Sequence, residues 1–122
     1  MTLADTSVWI DHLHQEIVAL TRLLADGRVL VHPFVIGELA VGRLSQRQAV
    51  LSDLGKMKTT VMAADGDVLR LIDRHKLFGS GNGYIDAHLL TAALITPDAW
   101  LWTRDRRLKA VAQSLGVAAT ET

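Results

Sequence analysis

Met1-Thr2-Leu3-Ala4-Asp5-Thr6-Ser7-Val8-Trp9-Ile10-Asp11 opens the chain. A short apolar start runs straight into Asp-Thr-Ser, residue types that cap helices, and apolar residues then recur at Val8, Ile10, Leu13, Ile17, Leu20, Leu23 and Leu24. That order predicts a strand over residues 1–4 ending where a helical stretch begins, with residues 7–25 forming two helices bent near His14. Asp26-Gly27 reads as a turn and 28–32 as a second strand; Pro33 suits the first turn of a helix reaching about Leu44. Further helices are expected over 46–56, 65–76, 84–95 and 104–115, and further short strands over 59–62, 100–103 and 116–118. Short strands alternating with helices predict an α/β fold whose parallel sheet is covered on both faces. Sites in such sheets lie beyond the carboxyl ends of the strands, which is where Asp5 and Asp105 both fall.

The 122 residues suffice for one hydrophobic core and not for two, so one domain over 1–122 is expected. An apolar fraction of 49% with 21% charged residues is that of a globular protein, and two prolines leave no long disordered linker. No apolar run approaches the roughly 18 residues of a membrane span, and the start lacks a secretory pattern, so a cytoplasmic protein with no membrane partner is expected. With no cysteine, disulfides, zinc-thiolate sites and thiol nucleophiles are excluded. A formal charge of zero gives nucleic acid no general attraction. Yet Arg104, Arg106, Arg107 and Lys109 bracket Asp105, either as a solvated helix face or as a local basic patch.

Four acidic residues stand in apolar company: Asp5, Glu38, Asp86 and Asp105. An isolated carboxylate there costs free energy unless protonated, paired or bound to a metal, and four together call for a hard cation. Glu38 has only Phe34, Val35, Val41 and Gly42 at helical spacing, so either it serves a site or it pairs with a distant Arg. Asp86 sits in a first helical turn, where the dipole alone would favour it, but its helix is apolar nearly all round. Asp5 could equally cap the following helix, and Asp105 could pair with Lys109 four residues on.

Other motifs carry less. The Gly79–Gly83 loop lacks the Lys-Ser/Thr ending of a nucleotide-binding loop and reads as a plain turn. The histidines 12, 14, 32, 75 and 88 show no metal-ligand spacing, and the tryptophans 9, 100 and 102 read as core or interface residues.

Taken together, Asp-Thr-Ser-Val-Trp-Ile-Asp at 5–11, Glu38 in Phe-Val-Ile-Gly-Glu-Leu, Tyr-Ile-Asp-Ala-His-Leu-Leu at 84–90 and Leu-Trp-Thr-Arg-Asp-Arg-Arg-Leu at 101–108 resemble, in order, the acidic motifs of the PIN-domain ribonucleases, in particular VapC-like toxins of bacterial type II toxin-antitoxin pairs. No single motif is specific, but the four span nearly the whole chain. The resemblance implies an α/β/α sandwich with a short-stranded, mainly parallel sheet, and a Mg²⁺- or Mn²⁺-dependent endoribonuclease that hydrolyses RNA by metal-activated water to 5′-phosphate and 3′-hydroxyl ends. It implies Asp5, Glu38, Asp86 and Asp105 as the catalytic and metal-binding set, Ser7 and Thr103 as supporting hydroxyls, and a small VapB-like antitoxin as partner. With the apolar excess of helices 7–25 and 33–44, it also implies a homodimer. Two alternatives remain at this stage: a non-catalytic PIN-like module that binds RNA or protein, and a receiver-type domain in which one Asp accepts a phosphoryl group.

Overall fold

In a computed structural model that describes residues 1–120, three short strands form a sheet in the order β2-β1-β3. The last two residues of the expected 1–122 domain lie outside the described residues. β1 (Thr2–Ala4) is central, flanked by β2 (Val29–Leu30) and β3 (Trp100–Trp102), and both pairings are parallel. Leu3 and Ala4 point to opposite faces, yet both are fully buried, as are Leu101 and Trp102. Apolar residues at consecutive positions are what a sheet covered on both sides requires.

The helices are α1 (Thr6–His14), α2 (Val18–Ala25), α3 (Pro33–Val41), α4 (Arg47–Gly55), α5 (Asp65–Arg74), α6 (Tyr84–Ile95) and α7 (Arg106–Ser114). α3 packs on α1 and α4, while α5 packs on α6 and α6 reaches β3, consistent with a PIN-like α/β/α arrangement. The expected bend near His14 is a break between α1 and α2: His12 Nδ1 accepts the Ile17 N–H at 2.9 Å, satisfying a donor at the entry to α2. At the start of α3, Pro33 occupies the first turn and His32 caps it, Nδ1 accepting the Phe34 N–H at 3.0 Å.

The structure corrects four expected spans. Residues 59–62 and 116–118 are not strands; each contributes one isolated parallel bridge, Val31 with Thr59 and Leu101 with Ala118. The first segment leaves the sheet at once, since the Val61 N–H donates instead to the Thr96 hydroxyl at 3.0 Å. α3 stops at Val41 rather than Leu44, because Gly42 turns extended and its N–H closes on the Leu39 carbonyl. α7 starts at Arg106 rather than Arg104, since Asp105 is its cap.

Candidate functional site

Parallel pairing of β1 with β3 sets Ala4 opposite Trp102, so the residues leaving the two strands, Asp5 and Thr103, emerge side by side. The Asp5 N–H continues the ladder to the Trp102 carbonyl at 3.0 Å, and the Thr103 hydroxyl donates to Asp5 Oδ2. The other oxygen, Oδ1, accepts from the Ser7 hydroxyl at 2.6 Å and from the Val8 N–H at 3.1 Å, so Asp5 both caps α1 and anchors the rim of the sheet. The hydroxyls are themselves held from behind: Ser7 Oγ accepts the Arg104 N–H and Thr103 Oγ1 accepts the Asp105 N–H, each at 3.0 Å. A chain of polarised bonds thus fixes the Asp5 carboxylate from α1, β3 and the start of α7. Ser7 and Thr103 both bond the Asp5 carboxylate.

Glu38 reaches the same rim from α3, which packs on α1. Its Oε1 accepts the Thr6 hydroxyl at 2.5 Å, a partner that helical spacing within α3 had no means of revealing. Asp86 sits in the first turn of α6 and accepts the Gly83 N–H at 3.3 Å; Asp105 caps α7 through the Leu108 N–H at 3.0 Å. The capping explanation for Asp5 is therefore true, Asp105 caps α7 in the same way, and neither cap competes with a site: the caps are what hold the carboxylates after the strand ends.

The electrostatics join the four. Burial pushes the Asp86 carboxyl above its ordinary range, and the negative charges of Asp105, Asp5 and Glu38 raise it further. Asp5 is also raised, by burial, which outweighs the bonds from Ser7, Thr103 and Val8. Among the described residues no three Asp, Glu, His or Cys side chains stand close enough together to hold a metal ion between them. Carboxylates that repel one another settle instead on hydroxyl and N–H donors. The donor set is nevertheless all oxygen, acidic and gathered at one rim, which fits a hard divalent cation that takes one or two carboxylates directly and keeps several waters.

A family model for the PIN domain matches residues 2–114. The chain belongs to the PIN-domain family. This PIN domain is also 45% identical, over 121 residues, to proteins named Ribonuclease VapC32 from two strains of Mycobacterium tuberculosis, covering 99% of this chain and 98% of theirs. The family assignment sets aside the receiver-type alternative. Reading the sequence of the PIN domain missed two contributors at the rim. Thr6 bonds Glu38, and its signal was only its place beside Asp5. Gly81, read as part of a plain turn, meets the Arg107 side chain, a contact with no local pattern to mark it.

Proposed function

We propose that this PIN domain is a toxin-type endoribonuclease that hydrolyses RNA phosphodiester bonds with Mg²⁺ or Mn²⁺ at Asp5, Glu38, Asp86 and Asp105. The observation that carries the reading is the near-full-length likeness to proteins named as ribonucleases, and the meeting of four acidic residues from distant parts of the chain supports the choice of site. A bound divalent cation supplies an activated water and offsets charge on the phosphate being attacked. The chain's own residues supply the rest. Asp5 is held in one orientation by Ser7, Val8 and Thr103. Glu38 is tethered by Thr6, and Asp86 and Asp105 are held by the N-terminal turns of α6 and α7. The ends left are a 5′-phosphate and a 3′-hydroxyl.

The partner is a small VapB-like antitoxin, whose C-terminal segment lies over α1 to α3, and the working unit is a cytoplasmic homodimer. Exposed Ile10, Leu13 and Val41 on these helices, and a groove lined by Ile10, Leu13, Glu38 and Leu44, support that placement. Among the described residues no helix is long and apolar enough to cross a membrane. The test is cleavage of a structured RNA by the purified protein with Mg²⁺ or Mn²⁺, then with EDTA. Metal-dependent cutting that leaves 5′-phosphate ends is expected; binding of RNA without cutting at any metal concentration would return the chain to the non-catalytic module.

A further inference from the structure

An RNA strand approaching this rim meets four carboxylates on a chain of zero net charge, so something local must offset the repulsion. The basic stretch after β3 is divided by the fold. Arg104 is committed to Asp11 at 3.2 Å, while Arg107 lies across the loop that leads into α6. A Cβ built on Gly81 would stand 2.8 Å from Arg107 Nη1 and 2.9 Å from its Cδ, closer than side chains tolerate, and the Gly81 backbone has φ +88°. The loop needs glycine there for its left-handed turn, and a side chain at that position would push the flexible end of the arginine aside. Arg107 has no hydrogen bond or ion pair among the described residues. It is exposed and lies against this loop, with its charge uncommitted.

The contact joins the starts of the two helices that carry Asp105 and Asp86. Asp105 lies two residues before it, and two residues beyond Gly81 the Gly83 N–H is bonded to Asp86. We propose that Arg107, cradled by Gly81, binds a phosphate of the RNA strand as it crosses the acidic rim, an inference that rests on the nuclease reading above. The guanidinium fork matches a phosphate's oxygens two at a time, and Arg107 has no other partner to give up when it engages one.

The test is steady-state cleavage, over a series of salt concentrations, of an RNA that the parent cuts. Arg107→Gln, which keeps most of the length and removes the charge, should raise KM about tenfold with kcat within about twofold, and flatten the salt dependence of log kcat/KM by about 0.7 for the lost phosphate contact. Arg107→Lys should restore the salt slope. Gly81→Ala, which displaces the arginine, should shift KM in the same direction, and the double variant should be no worse than Arg107→Gln alone, because the two act on one contact. Arg70→Gln, which removes an equal charge from an ion pair with Asp67 on α5, should leave KM and slope at parental values. Parental KM and slope for Arg107→Gln, or effects of the two single variants that simply add, would overturn the inference while the nuclease reading stands. A parent that cuts no RNA overturns both.

Discussion

Asp86 carries the strain of the site as a single residue, since it is raised by burial and then by three neighbouring charges. A carboxyl whose native pKa lies above its ordinary 3.8 holds its proton more firmly folded than unfolded. Stability is therefore lost as pH rises through the native pKa and regained as it falls. Asp86→Asn should make the metal-free protein more stable than the parent at pH 7, and urea titrations at descending pH should show that advantage vanishing as the parent's own carboxyl becomes protonated. Cleavage should fall at least a hundredfold at every pH. Glu38→Gln separates the same two roles in a different way. The amide keeps an oxygen to accept the Thr6 hydroxyl and removes one repelling charge, so apo stability should match or slightly exceed the parent while cleavage is lost. A drop of roughly 3 to 5 kcal/mol would instead mark the loss of a buried ion-pair partner. Glu38 was legible in the sequence because its helical neighbours offer no charge; Thr6 was not, because a contact across 32 residues leaves no periodic trace.

Entry into α3 depends on a histidine in one protonation state. His32 is fully buried, and burial, with the neighbouring His88, holds its pKa down to about 4. Nδ1 must stay bare to accept the Phe34 N–H. The stability that this neutral ring contributes is intact above the ordinary value of 6.5 and is lost as pH falls toward 4, when the unfolded chain takes a proton that the native one refuses. At 1.36 kcal/mol per pKa unit the loss is bounded at roughly 3 kcal/mol. His32→Asn, which keeps a capping acceptor and leaves a small void, should be the less stable protein at pH 7 and close the gap on the parent by pH 4.5. Urea midpoints of the pair at both pH values would check it, and a constant gap would show that His32 does not titrate in this window. Helices were readable from caps and apolar spacing, Pro33 and Asp5 most plainly. The segments at 59–62 and 116–118 misled because a short run after a helix shows only that the chain is extended, while the number of rungs in a ladder depends on what the neighbouring backbone offers.

For the molecule as a whole, a cation that binds only the native rim should add stability that grows with the logarithm of its concentration. At one hundred times the dissociation constant the gain is about 2.7 kcal/mol, so thermal melts with excess Mn²⁺ and with EDTA should differ by several degrees. Coincident melts, with no heat of binding in calorimetry, would remove the shared-cation idea. Sedimentation at micromolar concentration should show a dimer, given the exposed Ile10, Leu13, Val18 and Val41. A clean monomer would count against it. The parallel layout was legible from the alternation of elements, whereas the order β2-β1-β3 was not, since nothing in residues 2–4 says which later strands will flank them. That order has a consequence in time. β1 precedes β3 in synthesis, so the hydroxyl that reaches Asp5 from 98 positions away arrives long after the carboxylate it bonds. Until residues past 105 have been made, Asp5 keeps its bonds from Ser7 and Val8 but lacks the one from Thr103, so the acidic rim is completed only late in synthesis.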